Sequence, residues 1–157
     1  MRFRSPIRRR GDGFVVSLGD DERAVIDRLL GELSDLLDDD GESSGVLLDR
    51  LFPAVYPGDP DREAEYQRLM RPELVESKKS AIAEVRAALA DDRHRLDDAQ
   101  LVAFMQGVNS IRLVLGTMLG VSDDGDEVDE GLENSPEYGL YGYLSWLLEC
   151  AVSATSS

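Results

Sequence analysis

Asn109 and Arg112 are the two side chains whose spacing most directly suggests binding chemistry. They are three residues apart, so a helix would place both on one side. Most neighbouring residues are apolar, and a mostly buried guanidinium must be paired because an unpaired buried charge costs several kcal/mol. One interpretation is a pocket for an anion or a carboxylate. The interpretation we favour is an internal ion pair with a helix carboxylate such as Glu76 or Glu84.

The last helix offers a second candidate site around Cys150. Tyr143, Trp146 and Leu147 lie on the same side of this helix as the thiol, and Glu149 is the only charge along most of its length. A helix that is apolar nearly all round is either central or half exposed at an interface. These four residues would then form a dimer or partner surface with an accessible thiol. For Cys150 we favour the alternative of a buried, inert side chain, because free Cys is among the most buried residue types.

Arg8, Arg9 and Arg10 form a basic cluster near the start of an acidic chain. Residues 1–10 carry five arginines and no acid, whereas the remaining 147 residues hold 12 basic and 32 acidic side chains, a charge of -20. Phosphate backbones are bound by clustered Lys and Arg, with interleaved aromatic rings for single strands, and only Phe3 is near. We therefore expect this basic arm to contact an acidic protein surface, its own or a partner's, and we expect no nucleic-acid binding.

The composition of the 157 residues disfavours the common classes of enzyme. The single Cys excludes a disulfide within the chain and a thiolate zinc site, and the single His, His94, lies in a charged junction that we expect to be in solvent. No Walker loop, GxGxxG, GxSxG or HExxH motif occurs. We expect no catalytic residue and no cofactor.

Residues 123–137 carry eight carboxylates, a number that invites comparison with a calcium site. Calcium takes about six to eight oxygen ligands, and an EF-hand loop needs a ligand at the third position and Gly at the sixth. With Gly131 placed sixth, Val128 occupies the third position, so the motif fails. We predict a solvated acidic loop over 122–135 and no metal site.

These side chains must be positioned by a mainly α-helical fold. Three acids at residues 20–22, followed by Leu and Ile at helical spacing, predict an amphipathic helix over 20–37. Asp97 and Gln100 have the spacing of a capping box and predict the start of a long helix, which Gly120 suits as its C-terminal end. Ser135-Pro136 suits the start of the last helix. The other predicted elements are a short helix over 46–51 and a Pro-rich loop over 52–60 held to the core by Phe52, Val55 and Tyr56. Helices over 61–70 and 73–90 follow, with a break or a kink at Pro72.

Residues 2–7 and 14–18 are short extended segments on either side of a Gly-rich turn, which predicts a β-hairpin. The predicted fold class is mainly α, a helical bundle of about five helices with a short N-terminal β-hairpin, in a single domain over 1–157. Its parts are the basic hairpin or arm (1–18), a helical core (20–121), the acidic loop (122–135) and a C-terminal helix (136–153).

The apolar stretch 99–122 holds one charge, Arg112, among several polar side chains. Arg at the centre of a bilayer costs about 2.5–3.5 kcal/mol on insertion scales, so we interpret the stretch as the central helix of a soluble domain. The apolar run after the first ten residues is too short for a signal peptide. We expect a cytoplasmic protein with no membrane contact.

Three blocks of sequence, at residues 51–57, 109–121 and 141–144, resemble the actinobacterial domain-of-unknown-function family 2017. The resemblance spans nearly the whole chain, and genes of this family typically lie near those of the ClpS protease adaptor and of sulfur assimilation. It implies a regulator without established enzymatic activity, proposed to respond to redox state through a cysteine pair and to bind a sigma factor. Cys150 has no second Cys to join in this chain, so only an intermolecular disulfide or mixed thiol could sense oxidant.

We therefore expect a cytoplasmic, non-catalytic regulatory or adaptor protein that acts in transcription or stress response. It would bind a protein partner, a transcription or protease component or a second copy of itself, through the apolar last helix or the basic arm. The alternative is a small-molecule or anion-binding protein, or an enzyme, in which Asn109 and Arg112 form an interhelical pocket with Tyr66 or Glu76.

Overall fold

The computed structural model describes residues 5–39, 42–120 and 135–156. Within these ranges the chain forms five helices and a three-stranded antiparallel sheet, which confirms the mainly α fold with an N-terminal hairpin. In chain order the elements are β1 (Ile7–Arg10), β2 (Gly13–Val16), α1 (Asp20–Leu37), α2 (Glu42–Leu51), α3 (Pro60–Ala90), β3 (Arg95–Leu96), α4 (Asp98–Leu119) and α5 (Pro136–Thr155).

Helix α4 is the centre of the bundle and packs against each of the other four helices. Its start is fixed by the predicted capping box, in which Asp97 Oδ1 accepts from the Gln100 amide at 2.7 Å and Gln100 Oε1 accepts from the Asp97 amide at 2.9 Å. Gly120 ends the helix in the left-handed conformation with φ 78°. By length and composition alone α4 could cross a membrane, a property that it shares with the core helices of many folded domains. Nine of its residues are buried within the bundle.

Helix α3 is continuous, so the predicted separation of two helices at Pro72 is wrong. Asp59 caps its N-terminus by accepting a hydrogen bond from the Arg62 amide at 3.2 Å, and Pro60 takes the first helical position. A proline inside a helix costs about 3 kcal/mol, since it lacks an amide donor and crowds the preceding turn. Pro72 itself is exposed, and the packing of Ile82 and other core residues in the second half of α3 offsets that cost.

The predicted hairpin is confirmed, but among the described residues its first strand, Ile7–Arg10, overlaps the predicted segment 2–7 only at Ile7 and includes the three arginines. Gly11 in the turn has φ 64°, a conformation that glycine adopts without steric cost. The side chains of Ile7, Phe14 and Val16 point to one face of the sheet and enter the core. This face packs against α4 and α5, which supplies the helical support that a short hairpin needs.

A third strand, β3, pairs with β2 and was not predicted, because two residues carry no periodicity of their own. His94 directly precedes it with φ 49°, and its carbonyl accepts a hydrogen bond from the Val16 amide at 2.9 Å. The imidazole Nδ1 lies 3.0 Å from the carbonyl of Leu89, and the side chain is half-buried. The expectation that His94 is in solvent is therefore wrong: it joins the end of α3 to the sheet.

The loop between α2 and α3 is attached to the bundle mainly through Phe52, which packs against the core. Val55, predicted to do the same, is half exposed. The carboxylate of Glu63 instead orders the loop, because one of its oxygens accepts from both the Val55 and the Tyr56 amides at 2.7 Å. Helix α2 begins at Glu42, four residues before the predicted start.

Candidate functional site: the outer face of α5 and the Arg112 groove

Helix α5 starts where the sequence predicts and divides the candidate partner residues between two environments. Ser135 caps it by accepting a hydrogen bond from the Tyr138 amide at 3.2 Å. Leu147 is 0% exposed and Cys150 is 8% exposed, so both belong to the core. This confirms the favoured interpretation of Cys150 as a buried side chain. The placement of Leu147 and Cys150 on a partner surface with Trp146 is wrong, because a helix that is apolar all round does not reveal which side faces the bundle. Trp146, at 43% exposed, is on the outside.

Tyr143 lies beside Trp146 and is held in place by α1. Its hydroxyl donates a hydrogen bond to Oε2 of Glu22 at 2.7 Å, and the centroids of the two rings are 5.9 Å apart. Burial of the phenol, with the adjacent Glu22 carboxylate, raises the pKa of Tyr143 well above its usual value. In its neutral form the phenol donates to Glu22, which holds the Tyr143 ring against α1 beside Trp146.

Two glycines share the outer side of α5 with this tryptophan. Gly139, Gly142 and Trp146 follow one another at spacings of three and four residues, which places them on one helical face. A Cβ added to Gly139 or Gly142 would meet no described atom within 4 Å. Glycine inside a helix costs about 0.5–1 kcal/mol relative to alanine, and no contact among the described residues offsets that cost at either position. We refer to Gly139, Gly142 and Trp146 as the α5 face.

The predicted basic arm is the edge strand of the sheet rather than a free arm. Arg8 is the cross-strand neighbour of Val15, which in turn neighbours Arg95 on β3. Strand alternation puts Arg10 on this same face, and Arg95 Nη2 donates to the Arg10 carbonyl at 2.9 Å. Arg9 points to the opposite face, where its guanidinium lies 4.6 Å from the centroid of a core aromatic ring. We refer to Arg8, Arg10 and Arg95 as the cationic sheet face.

Arg95, which the sequence did not single out, reaches across this face because Gly13 lies beneath it. A Cβ at Gly13 would come within 3.1 Å of Arg95 Nη2 and 2.9 Å of the Leu96 carbonyl. The same guanidinium lies 3.5 Å from Oδ1 of the exposed Asp12. Its membership of the cationic sheet face depends on the pairing of β3, so the linear sequence alone gave no signal for it.

Arg112 is held differently from the internal ion pair that we expected. Its Nη2 donates to Oδ1 of Asn109 at 2.9 Å, which confirms that these two side chains meet. Neither Glu76 nor Glu84 pairs with it, and Glu84 instead accepts from Gln100 at 3.3 Å. Within the described part of the chain the Nε of Arg112 is buried and has no hydrogen-bond partner.

An open groove of about 450 Å³ lies between α4 and α5 at Arg112. The residues that line it are Arg112, Ser145, Leu148, Glu149, Val152 and Ser153. Tyr66 is not among them and packs edge-on against Tyr56, with ring centroids 6.0 Å apart. Glu76 lines a different depression, between α1, α2 and α3. The structure thus brings Asn109 and Arg112 together but separates them from the other two predicted pocket residues. We refer to this depression as the Arg112 groove.

Acidic residues do not form a metal site among the residues that the structure describes, where no three His, Cys, Asp or Glu side chains converge. The predicted acidic loop over 122–135 lies outside the described residues, except for Ser135.

The chain is similar to known proteins along most of its length. The model of a family described as "Domain of unknown function (DUF2017)" matches residues 4–155. Relatives from Mycobacterium tuberculosis (strain H37Rv) and Mycobacterium bovis, both named oxidative stress regulator AosR, are 28% identical over 174 aligned positions, which cover 88% of this chain and 79% of theirs. A relative from Mycobacterium leprae is 32% identical over 109 residues, and the match covers 68% of this chain but only 50% of that protein. No solved structure matches the chain.

Proposed function

The chain belongs to the DUF2017 family, and from this membership we propose that it is a non-catalytic, cytoplasmic regulatory protein that acts by binding another protein through the α5 face. The regulator names of the mycobacterial relatives support the general role. The observation that carries the proposed mechanism is the pair of uncovered glycines beside the exposed Trp146.

The α5 face combines the two properties that a protein-binding helix needs. Trp is enriched among the residues that contribute most to interface affinity, and Trp146 offers a large apolar surface that is already partly desolvated by Tyr143. No atom of the described residues covers the helix backbone at Gly139 and Gly142, so a partner can approach there more closely than any side chain would allow. Because the hydrogen bond to Glu22 already orders the Tyr143 ring beside Trp146, less side-chain freedom is lost when a partner binds.

The cationic sheet face supports a preference for an acidic partner. Its three arginines are exposed on a chain whose formal charge is -15, so they form a local region of opposite sign. Charge complementarity of this kind raises association rates and selects partners more than it adds affinity. We propose that the partner, a transcription or protease component, presents carboxylates to this face while an apolar helix contacts α5.

An oxidant response, as the relatives' names describe for them, would need a route other than a disulfide within this chain. Cys150 is the single Cys, and it is buried. Oxidation of thiols favours exposed thiolates, so a core Cys is a poor sensor. We propose that partner binding at the α5 face is the same in the presence and absence of mild oxidant.

The test uses the full chain as immobilised bait in lysate, followed by affinity measurement with the purified captured protein. Gly142→Gln adds a neutral helix-forming side chain into empty space, so it should block the α5 face without harming the fold. We expect Gly142→Gln and Trp146→Ala each to weaken binding at least about tenfold, or about 1.4 kcal/mol. Ala83→Gln, on the exposed side of α3, and Val102→Ala, at a 50% exposed apolar site on α4, are the matched controls and should bind as wild type does.

Equal binding by all four variants would contradict the proposal that the α5 face is the contact surface. Sedimentation of the free chain tests whether the partner is a second copy of the same chain. A concentration-dependent dimer that Gly142→Gln abolishes would identify the partner as a second copy of the chain and reject the transcription or protease component.

A further inference from the structure

We propose that the Arg112 groove binds a small monocarboxylate, with the Arg112 guanidinium as the anchor for the carboxylate and Leu148 and Val152 as the contact for a short alkyl chain. This inference is independent of the proposed partner binding at the α5 face. It rests on an arginine that lines an interhelical groove and forms no ion pair with a carboxylate of the described residues.

The bonding of Arg112 leaves it able to accept an anion. Among the described residues it makes one hydrogen bond, to the neutral amide of Asn109, and no carboxylate lies within 4.0 Å of it. A guanidinium has five N–H donors and can pair with a carboxylate through two parallel hydrogen bonds; because the Arg112 Nε is buried, a carboxylate in the groove would pair with the terminal Nη groups. Partial burial strengthens such a pair, because the surrounding dielectric is lower than that of bulk water. The Asn109 contact fixes the guanidinium before a ligand arrives, which lowers the cost of ordering it.

The other residues of the groove select the size and charge of the ligand. Among the described residues Arg112 is the one basic residue that lines it, and Glu149 contributes a carboxylate to the same groove. With a net charge of -15 on the chain, a phosphate or other multivalent anion would meet more repulsion than a single carboxylate. Ser145 already donates its hydroxyl to the Tyr141 carbonyl at 3.0 Å, so it adds no donor for an anion.

The apolar wall favours an acid with a short alkyl tail over acetate. Leu148 is half-buried and Val152 is exposed, so both present hydrocarbon to the open groove. Each methylene that leaves water contributes about 0.8 kcal/mol when it is fully buried. The volume of about 450 Å³ lies in the range of small-ligand sites and accommodates a chain of several carbons.

In the experiment the full chain is titrated with sodium hexanoate, sodium acetate or sodium phosphate at matched ionic strength. Binding is measured by calorimetry and by the NMR signal of the Arg112 Nε–H. We expect saturable hexanoate binding with a Kd of about 1 mM or tighter. Acetate should bind at least about tenfold more weakly, since it lacks the alkyl chain. Phosphate should produce no saturable change at the Arg112 signal.

Four variants distinguish a specific site from general anion binding. Arg112→Gln should weaken hexanoate binding at least about tenfold. Glu149→Gln removes the carboxylate from the groove wall and should tighten binding severalfold. Arg28→Gln, at a largely exposed arginine on α1, is the matched control and should leave affinity unchanged. Trp146→Ala should also leave it unchanged, so that a failure of partner binding at the α5 face and a failure of this site give different results.

The proposal is overturned if hexanoate binding does not saturate, if Arg112→Gln binds hexanoate as wild type does, or if phosphate displaces hexanoate from the Arg112 signal. Should Arg112→Gln not fold, Glu149→Gln decides the matter, because tighter binding supports the site and unchanged or weaker binding contradicts it.

Discussion

Two arginines lie at helix interfaces, Arg86 between α3 and α1 and Arg112 between α4 and α5, and their polar partners differ. Arg86 on α3 donates from Nε and Nη2 to both carboxylate oxygens of Asp27 on α1, at 2.8 and 3.1 Å. Gly31 makes this possible, since a Cβ there would be 3.0 Å from Arg86 Nη1. Arg112, at the α4–α5 interface, has an amide as its partner and a buried Nε without one within the described structure.

The helical glycines repeat this difference. Gly107 on α4 faces Leu30 of α1, and a Cβ there would be 3.0 Å from Leu30 Cδ2, so the close approach of the two helices explains the residue. Gly139 and Gly142 on α5 have no such neighbour among the residues that the structure describes. Contacts within the described structure therefore explain the glycines on the α1 side, whereas they do not explain the two glycines on the outer side of α5. Residues without an internal explanation are where external contacts should be sought.

The largest expected effect separates the inner side of α5 from its outer side. Leu147→Ala removes a fully buried side chain and should destabilise the fold by about 2–5 kcal/mol. Trp146→Ala, its immediate neighbour, should cost less than about 1 kcal/mol because the indole is 43% exposed. Urea unfolding monitored by circular dichroism gives both values. A Trp146→Ala loss as large as that of Leu147→Ala would show that the indole is a core residue and would remove the basis of the α5 face.

Local signals in the sequence predicted most of the helices. The capping box at Asp97, the glycine end at Gly120 and the Ser135-Pro136 start depend on residues within one turn, so the sequence contains them directly. The continuity of α3 through Pro72 could not be predicted in this way. It depends on the packing of residues ten or more positions further along the chain, which is a tertiary contribution.

The candidate site was less predictable than the fold, for two reasons. Tyr143, Trp146, Leu147 and Cys150 look alike on a helix that is apolar nearly all round, and only the position of α4 and the sheet decides which of them is buried. The partner of Arg112 depends on which carboxylates the other helices bring near, and the spacing along one helix reveals only Asn109.

The glycines provide the next test of the comparison. Gly142→Ala should stabilise the fold by about 0.5–1 kcal/mol, because it raises helix propensity and its methyl group meets nothing. Gly107→Ala should give no such gain and should destabilise the fold, since its methyl group would crowd Leu30 at the tight α1–α4 contact. Thermal and urea unfolding of both variants measure the difference. If both substitutions stabilise equally, the contrast between covered and uncovered glycines does not hold.

The arginines should differ by a smaller amount. Arg86→Met loses a two-bond ion pair that is partly exposed, for which we expect about 0.5–1 kcal/mol of destabilisation. Arg112→Met replaces a half-buried and incompletely paired cation by an apolar side chain of similar length, so its effect on unfolding free energy should be neutral or stabilising. The two variants are matched in chemistry and differ only in location. A larger loss for Arg112→Met would mean that the fold itself depends on this guanidinium.

The smallest expected effect is the pH dependence of the stabilisation that the Asp27–Arg86 ion pair contributes to the fold. The hydrogen bonds from Arg86, reinforced by its charge, hold the pKa of Asp27 below the ordinary value of 3.8 against an opposing contribution from burial. A carboxylate whose pKa is lower in the folded state stabilises the fold above its unfolded-state pKa, and this contribution disappears as the pH falls through the folded-state pKa.

Wild type should therefore exceed Asp27→Asn in unfolding free energy by a constant amount, about 0.5 kcal/mol, from pH 7 to about pH 5. The difference should shrink below about pH 4 and vanish at lower pH, where Asp27 is neutral in both states. Comparing the two proteins at each pH cancels the effect of the other titrating groups, because these groups change charge in both proteins alike. Glu65→Gln, which alters an exposed pair within one turn of α3, controls for loss of a single negative charge. A difference between wild type and Asp27→Asn that stays constant down to low pH would show that the side chain acts by its shape alone, and the α1–α3 side would then have no stabilising charge pair to contrast with Arg112.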